Sequence, residues 1–349
     1  MNILIVKLSA IGDVVMALPF LAALRRAFPR ARLTWLVEEA AADLLKNHPL
    51  LDRTIVSRRR TWWGELKQGR FREAFGDASR FWRELRRERY DLVVDLQGLL
   101  KSGILTILSG GRRRLGFDRT REFSYLFVNE KLPAYDPDRH ALERYLDVAV
   151  HLGAGEVDRS DFFLPGSPRA AEKAAAWLAG AGPVIVALNP GAQGTSKLWP
   201  RKNWRDLCHG LTAEPGISLV LTGGPDEAAF NADLAGGARQ VLDLTGRTDL
   251  LVLAEIFRSA AALVCPDTGP MHLAAAVGTP VVALFGPTAP WRTGPYGSGH
   301  VVLRTNLACS PCFLRSCRNP PCMNSLTPAV VQEAVRHILA RREVQRSAH

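Results

Sequence analysis

The sequence has no long hydrophobic run, because no uninterrupted apolar stretch reaches the roughly 18 to 20 residues that a membrane-spanning helix needs. Its start also lacks the basic segment and small-residue cleavage site of a signal peptide, since a strand-like run, NILIVK, begins at residue 2. These absences argue against a membrane-spanning or secreted protein, and we expect a cytoplasmic one.

Two glycine-rich nucleotide fingerprints are missing as well. Neither G-x-G-x-x-G nor G-x-x-x-x-G-K-[ST] occurs, which argues against a standard dinucleotide site, a nicotinamide-dependent oxidoreductase and a P-loop. Carboxylate pairs that could bind a metal–diphosphate complex are scarce. The D-x-D of the chain, Asp136-Pro-Asp138, lies in a proline-containing loop, and we do not assign it a metal.

Cysteine is sparse, with six residues, yet four of them fall within fourteen positions. Cys309, Cys312, Cys317 and Cys322 have the spacing C-x2-C-x4-C-x4-C. Four thiolates can close a tetrahedral zinc site, so the spacing is compatible with structural zinc. Reduced, packed cysteines are the alternative, and iron–sulfur ligation is a third.

Acidic residues are fewer than basic ones, 34 against 45, and the net charge of +11 favours an anionic partner such as nucleic acid, anionic lipid or a phosphorylated substrate. Residues 53–89 alone hold 12 basic and 5 acidic side chains. Here a helix is predicted whose apolar stripe comprises Phe71, Phe75, Ala78, Trp82 and Leu85. The helix either packs on its domain or touches an anionic membrane.

The length of 349 residues predicts two domains, and strand-like and helix-like runs alternate through both halves. We place the first domain at 1–165 and the second at 166–325, with a proline- and glycine-containing linker, FFLPGSP, beginning at residue 162. A C-terminal helical segment, 326–349, packs on either domain. Ligands of such open parallel sheets bind at the carboxyl ends of the strands.

Several of these strand ends carry polar residues. In the first half Asp13 follows NILIVK, beside Gly12, at the start of a predicted helix from about residue 12 to 28. In the second half, Asp267, Thr268 and Gly269 precede a helix N-terminus, which can bind an anion through its free N–H groups. Helix capping is the plainer interpretation of each of these residues.

Two further loops follow strands of the second half. One contains Thr195, Ser196 and Lys197 after two glycines, a combination that suits a phosphate. The other contains Glu227, which is placed to accept hydrogen bonds from ribose hydroxyls. Three strand-end loops of one sheet predict a shared binding crevice.

Taken in order, the motifs of the chain resemble those of the lipopolysaccharide heptosyltransferases of glycosyltransferase family 9. The resemblance runs almost end to end and is carried by IVKLSAIGDVVMALP, VEEA, VVDLQGLLKSG, DRTREFS, HALERY, KLWP, GGPDE and PDTGPMHLAAAVGTPVVALFGPT. The segments VEEA, DLQGLLKS, TRE and HALER resemble the type I enzymes, which add the first heptose to Kdo, more than the type II enzymes, which add the second.

This resemblance implies an α/β fold of the GT-B type, with two Rossmann-like domains whose parallel sheets face each other across a cleft. It implies inverting transfer from ADP-L-glycero-D-manno-heptose to Kdo of lipid A, with no metal or other cofactor required and with Asp13 as the general base. The donor-binding residues would be Thr195, Ser196, Lys197, Glu227, Thr248 near the adenine, Asp267, Thr268, Gly269 and His272. The acceptor-binding residues would be Arg60, Lys101, Arg121 and His140.

The resemblance also implies where the protein works and leaves alternatives open. Its partners would be the nucleotide-sugar donor, Kdo-lipid A and the anionic inner-membrane surface, which the protein would bind peripherally on the cytoplasmic side. A type II enzyme, or another GT-B transferase with a different nucleotide sugar or acceptor, is the main alternative. A nucleic-acid-binding protein is a second one, suggested by the basic charge, but it would leave the Lys197 and Asp267 loops without a role.

Overall fold

The alternating runs of the sequence form two parallel β-sheets of six strands each in the computed structural model of the chain. The structure describes residues 1–155, 162 and 164–347. Part of the predicted linker, residue 163, lies outside the described residues, as do 156–161. The chain divides into two compact units, Met1–Pro165 and Gly166–His349.

The first unit has a sheet in the order β3-β2-β1-β4-β5-β6. Its strands are β1 (Asn2–Val6), β2 (Arg32–Glu38), β3 (Arg53–Ser57), β4 (Leu92–Asp95), β5 (Arg113–Phe117) and β6 (Glu130–Leu132). Its helices are α1 (Ile11–Met16), α2 (Leu18–Ala27), α3 (Glu39–Ala42), α4 (Arg59–Lys67), α5 (Phe71–Leu85), α6 (Leu100–Leu108) and α7 (Ala141–His151). All neighbouring strands are parallel, so their carboxyl ends lie along one edge.

The second unit has a sheet in the order β12-β11-β10-β7-β8-β9. Its strands are β7 (Val184–Leu188), β8 (Ile217–Leu221), β9 (Val241–Asp243), β10 (Ala262–Pro266), β11 (Val281–Phe285) and β12 (Val301–Arg304). Its helices are α8 (Pro168–Leu178), α9 (Arg201–Thr212), α10 (Ala228–Ala235), α11 (Leu250–Ser259), α12 (Gly269–Ala276), α13 (Pro290–Thr293), α14 (Pro321–Asn324) and α15 (Pro328–Ser347). These strands are also parallel to their neighbours.

One face of the first sheet is covered by α4, α5 and α6 together. Trp62 of α4, Phe81 and Leu85 of α5 and Leu105 of α6 pack in one cluster with Leu4 and other buried strand residues. The three helices therefore form one layer, because helices that cross over in the same direction lie on the same face of a parallel sheet.

The first helical segment differs from the sequence prediction of one helix over residues 12–28. It is broken at Ala17, which ends α1 and caps the start of α2. Pro19 lies in the first turn of α2, and its ring has no N–H to continue the hydrogen-bond ladder of α1. Three strands are also present beyond those that the apolar runs predict, namely β5 and the edge strands β6 and β12.

The predicted apolar stripe of α5 is divided between the core and the surface. Leu85 is buried, but Phe71 and Phe75 are exposed, and the core contact is made instead by Ala74 and Phe81. The helix therefore packs on its domain and also presents aromatic rings outward.

The C-terminal helix α15 packs on the second unit. Its Val331, Val335 and Ile338 are buried in the core cluster of that unit, and Arg342 donates a hydrogen bond to the Ala260 carbonyl at 2.8 Å. These contacts agree with one of the two placements that the sequence allowed for this helix. α15 has 20 residues, but neither it nor another helix of the described residues is long and apolar enough to cross a membrane.

We expect Val335→Ala to destabilise the second unit by about 1 to 3 kcal/mol, because it deletes buried methyl groups and leaves a cavity. Val330→Ala is the matched control, since Val330 lies on the same helix and is exposed. That variant should change stability by less than about 0.5 kcal/mol. Urea denaturation followed by fluorescence measures both, and equal effects would mean that α15 does not pack on this core.

Candidate functional site

Each sheet has a point at which its strand order reverses, and open parallel sheets bind ligands at the carboxyl ends beside such a point. In the first sheet the reversal lies between β1 and β4, and in the second between β7 and β10. The segments that directly follow these four strands contain Asp13, Gln97, Lys197 and Asp267. Charged and polar side chains therefore lie at the position where a ligand-binding crevice is expected in each sheet.

Asp13 lies in the first turn of α1, directly after the β1 loop. Its Oδ2 accepts a hydrogen bond from the Ala10 N–H at 3.1 Å, so it caps the helix as the plainer interpretation has it. The side chain is 34% exposed, and no described residue donates a hydrogen bond to its other oxygen, Oδ1. One carboxylate oxygen is thus held by the helix while the other is open to a ligand.

Lys7 is a buried cation behind Asp13. Its Nζ lies 3.8 Å from Asp13 Oδ2 and donates a hydrogen bond to the Tyr145 hydroxyl at 2.7 Å. Burial alone would lower the pKa of Lys7, but the Asp13 charge and the interaction with Tyr145 outweigh it and raise that pKa. A buried positive charge therefore stands beside Asp13.

The loop after β4 holds the Asp13 loop in place. Gln97 Oε1 accepts hydrogen bonds from the N–H groups of Leu8 and Ser9, each at 3.0 Å. Asp95 in turn accepts hydrogen bonds from the backbone of Gln97 and from the Ser102 hydroxyl, both at 2.9 Å. Burial raises the pKa of Asp95 to about 6 in spite of these hydrogen bonds.

Glu38, at the carboxyl end of β2, interacts with basic side chains at the carboxyl-end edge of the first sheet. Its Oε1 accepts a hydrogen bond from Lys101 Nζ at 2.8 Å, and its Oε2 lies 3.8 Å from Arg60 Nε. Burial opposes ionisation of Glu38, but the Lys101 ammonium holds its pKa below the ordinary value. Lys101 also donates to the Ser9 hydroxyl at 2.9 Å, which connects it to the Asp13 loop. Arg60 is largely exposed.

The other two predicted acceptor residues have simpler surroundings. Arg121 is exposed in the loop after β5. His140 accepts a hydrogen bond from the Leu142 N–H through Nδ1 at 3.3 Å and thereby caps α7. By contrast, Glu38 connects Lys101 with Arg60, and Ser9 connects Lys101 with the loop before Asp13.

In the second sheet, Lys197 and Asp267 form an ion pair across the reversal point. Lys197 Nζ lies 2.6 Å from Asp267 Oδ2 and 3.2 Å from the Asp267 carbonyl oxygen. Asp267 is buried, whereas the Lys197 side chain is 24% exposed. The aspartate therefore fixes the direction of an ammonium group that solvent still reaches.

Thr268 and Gly269 form the start of α12, next to this ion pair. The hydrogen bonds of the described chain include none donated by their backbone N–H groups. Such unpaired donors at a helix N-terminus attract anions through hydrogen bonding and the helix dipole. His272 follows one turn later and is buried.

Glu227 fits against the loop after β7. A Cβ at Gly191 would lie 1.3 Å from Glu227 Oε1, so only glycine allows this approach. Glu227 Oε2 accepts a hydrogen bond from the Gly224 N–H at 2.8 Å. Thr248 is partly buried in the loop after β9, which is joined to the same region by a 2.9 Å hydrogen bond from Gly246 N–H to the Gly223 carbonyl.

Thr195 and Ser196 have different environments although they are adjacent. Thr195 is exposed, but Ser196 is buried, and its hydroxyl donates a hydrogen bond to the Leu314 carbonyl. The Ser196 hydroxyl therefore anchors the cysteine-rich segment, and its expected role as a donor-binding group stays a prediction.

The cysteine-rich segment packs beside the Lys197 loop. Ser310 Oγ donates to the Gly286 carbonyl at 2.6 Å, and the Phe313 N–H donates to the Pro287 carbonyl at 2.8 Å. The thiols differ in burial: Cys309 and Cys312 are exposed, Cys317 is intermediate and Cys322 is buried, and all are free. Burial and, to a smaller degree, the nearby Cys309 and Cys312 raise the pKa of Cys322.

Within the described residues, no group of three or more histidine, cysteine, aspartate or glutamate side chains is arranged to hold a metal ion. Structural zinc stays one of the alternatives for the four thiols. The contacts of the segment also make it a support of the Lys197 loop.

Four residues of the first site were not found from sequence patterns, namely Lys7, Asp95, Gln97 and Tyr145. Lys7 and Asp95 end apolar runs and Gln97 follows one, so a polar residue at a strand end was the available signal. Tyr145 lies in the distant helix α7, and nothing in the local pattern relates it to Lys7.

A sequence profile of glycosyltransferase family 9 (heptosyltransferase) matches residues 78–323. Lipopolysaccharide heptosyltransferase 1 of Pseudomonas aeruginosa is 35% identical over 337 residues, which cover 92% of this chain and 88% of that protein. Lipooligosaccharide heptosyltransferase 2 of Haemophilus influenzae is 26% identical over 321 residues, covering 87% and 88%. The similarity is thus greater to the type 1 protein.

The solved structure of Escherichia coli heptosyltransferase WaaC with ADP is also similar, with a TM-score of 0.76 and 29% identity. The match covers 97% of this chain and 100% of that one. The predicted α/β fold class, with Rossmann-like domains of the GT-B type, is confirmed by the two parallel six-stranded sheets and by this match.

The buried Asp95 predicts a pH dependence of stability. Its folded-state pKa of about 6 is above the unfolded value of roughly 3.9, so its contribution is most favourable below the unfolded pKa and is lost as pH rises through the folded pKa. Relative to Asp95→Asn, the natural chain should therefore lose about 2 kcal/mol of stability between about pH 4 and pH 7.

Urea denaturation of both proteins across this pH range measures the difference. Asp43→Asn, at an exposed carboxyl of the same unit, is the control for the loss of one negative charge. A constant difference between Asp95→Asn and the natural chain would contradict the raised pKa.

Proposed function

Because the chain belongs to glycosyltransferase family 9, the heptosyltransferases, we propose that it transfers heptose from ADP-L-glycero-D-manno-heptose to Kdo of the lipopolysaccharide inner core. The observation that carries this proposal is the half-free carboxylate of Asp13 at the reversal point of the first sheet, beside a buried cation. Residues 1–165 would bind the acceptor and residues 166–325 the donor.

The donor diphosphate would lie against Lys197 and the N–H groups of Thr268 and Gly269. An ammonium group and free helix N-terminal donors stabilise the negative charge that develops on a departing diphosphate. Asp267 acts through Lys197 by holding it in place, and His272 lies one turn behind. With the leaving group neutralised in this way, the proposed reaction requires no metal.

The nucleoside end of the donor would lie over the neighbouring strand ends. Glu227 would accept hydrogen bonds from the ribose hydroxyls, and Thr248 would face the adenine. ADP is the nucleotide in the solved Escherichia coli WaaC structure, which supports adenine for this chain. Thr195 is exposed in the same region and would contact the phosphates.

Asp13 would act as the general base of an inverting displacement. Its Oδ1 takes the proton of the attacking Kdo hydroxyl while the oxygen of this hydroxyl forms a bond to the anomeric carbon of the heptose. The bond between this carbon and the diphosphate oxygen breaks, and ADP leaves with the electron pair. Lys7 places a positive charge beside Asp13, and after the transfer the proton passes from Asp13 to water.

The acceptor carries carboxylates and phosphates, which suit the basic edge of the first sheet. Arg60 and Lys101 would contact these anions, with Glu38 holding both side chains in position. Arg121 and His140 would extend this contact surface. A lipid-linked acceptor also implies work at the cytoplasmic face of the inner membrane, where the basic segment 53–89 favours anionic lipid.

Asp13→Asn separates the two roles of this residue. The amide oxygen can still cap α1 through the Ala10 N–H, but the side chain no longer accepts a proton. We expect kcat to fall by about a hundredfold to ten-thousandfold, while the affinity for ADP stays nearly unchanged. Steady-state kinetics and calorimetric ADP titration measure the two quantities.

The outcome of this substitution is decisive in both directions. An active Asp13→Asn enzyme would reduce Asp13 to a helix cap, and an equal loss of ADP affinity would assign it to the donor site. Asp43→Asn, an exposed aspartate of the same unit, should leave kcat and ADP affinity unchanged.

Lys197→Ala should raise the Kd for ADP by about tenfold to a hundredfold, because a charge-assisted contact to phosphate is lost. Lys202→Ala is the matched control, since Lys202 is exposed on α9 a few residues further on. Titrations with UDP and GDP should give weaker binding than ADP. Tighter binding of either nucleotide would favour another GT-B transferase activity.

A further inference from the structure

Helix α6 has large apolar side chains on its exposed face, although a helix on a protein surface in water usually buries them. Its buried residues are Ser102, Gly103 and Thr106, which are small or polar. Its exposed residues include Leu100, Ile104, Ile107 and Leu108, whose spacing places them on one face. A surface helix in water has the opposite arrangement, with the apolar face toward the core.

The inner face of α6 is closely packed. The helix therefore cannot rotate about its axis to turn the apolar side chains inward. A Cβ at Gly103 would lie 2.7 Å from the Phe127 ring and 3.2 Å from Ser124 Cα, so the helix touches the following loop. Ser102 donates a hydrogen bond to Asp95, and Leu105 belongs to the core cluster of the helical layer. The packing of the inner face therefore fixes the apolar face of α6 in its outward orientation.

The neighbouring loop adds two large side chains to this face. Phe123 is 60% exposed and Leu126 is 66% exposed, in the loop whose Ser124 and Phe127 are close to Gly103. Phe123 has a φ of 58°, a left-handed backbone conformation that is rare for a bulky residue. Such strain is found where the surrounding structure holds a side chain for a purpose. We call these six residues the α6 surface: Leu100, Ile104, Ile107, Leu108, Phe123 and Leu126.

The charge around the α6 surface is positive. Residues 99–131 contain seven basic and three acidic side chains, and Glu130 and Asp118 are paired with Arg113 and Lys131. Arg112, Arg119 and Arg121 are exposed and form no ion pair within the described chain. An apolar face rimmed by arginines matches the acyl boundary and anionic headgroups of a lipid bilayer.

We infer that the α6 surface docks on an anionic phospholipid bilayer, with its leucine, isoleucine and phenylalanine side chains in the acyl boundary and its arginines among the headgroups. The inference rests on the proposed function, because an acceptor anchored in a membrane requires the enzyme to reach that membrane. A second copy of the chain fits less well, since a twofold interface would set the two arginine rims against each other.

The surface extends beyond α6 within the same layer of helices. Trp63 of α4 and Phe71 and Phe75 of α5 are exposed as well, and these helices share the core cluster with α6. The docking face is therefore the outer side of one helical layer.

Co-sedimentation of the full chain with vesicles tests the docking. The natural chain should bind vesicles of phosphatidylethanolamine and phosphatidylglycerol, and bind vesicles of phosphatidylcholine much less. The double variant Ile104→Ser with Ile107→Ser should bind the anionic vesicles about tenfold more weakly or worse. Val150→Ser with Val330→Ser, two exposed valines on other helices, should bind like the natural chain.

A second variant guards against misfolding of α6. Leu126→Ser lies outside the helix and should also weaken vesicle binding, with thermal denaturation unchanged. Unaltered vesicle binding in both α6-surface variants would overturn the inference. So would a natural chain that dimerises in analytical ultracentrifugation while the Ile104→Ser with Ile107→Ser variant is monomeric and the vesicle binding of both is equal.

Activity on two acceptors separates this inference from the proposed function. Transfer to a soluble, deacylated Kdo acceptor should be equal in the natural chain and the double variant. Transfer to Kdo-lipid A in vesicles should fall in the variant only. Absence of heptose transfer to either acceptor would contradict the proposed function, while vesicle binding alone would still decide the docking surface.

Discussion

The reversal of strand order in each parallel sheet is the constraint on which both candidate sites depend. At this point the loops after two adjacent strands diverge to opposite faces, and their backbone groups and side chains are left around a crevice. In the second sheet the reversal brings Lys197 and Asp267 within 2.6 Å, although they are 70 residues apart in sequence. In the first it brings Gln97 against the backbone of Leu8 and Ser9, and so fixes the loop before Asp13.

Much of this architecture could be predicted, because parallel sheets convert sequence order into spatial order. Apolar runs alternating with helical periodicity predicted the two sheets, and polar residues after those runs predicted Asp13, Lys197 and Asp267. The helix and strand predictions that were wrong or missing have local physical causes. Pro19 interrupts a helix that the apolar pattern continues, and β5, β6 and β12 are short strands at or near sheet edges, with little apolar signal.

The support of the site was harder to predict, because it depends on contacts between distant parts of the chain. Lys7 reads locally as the polar end of a strand, and only the fold brings Tyr145 of α7 to its ammonium group. Ser196 has a contact that its motif does not predict. It has the sequence context of a phosphate-binding loop, yet the cysteine-rich segment, 118 residues further on, takes its hydroxyl. A motif predicts which residues are near a ligand, but not which way each side chain turns.

Two features of the first unit depart from the usual distribution of residues, in which charged side chains are exposed and apolar side chains are buried. Lys7 is a cation in a dry interior, which costs free energy unless a partner charge compensates it. Leu100, Ile104, Ile107 and Leu108 are apolar side chains in water, which gain nothing for folding. Neither choice improves the stability of the unit, so neither is explained by the fold alone. Local choices that conflict with folding are expected where a protein acts. The buried lysine has its compensating charge in Asp13, the residue proposed to take the proton. The exposed helix face acquires an apolar environment only when it meets a membrane. On this argument, one unit holds both the base for the acceptor hydroxyl and the surface that brings it to the lipid that carries the acceptor.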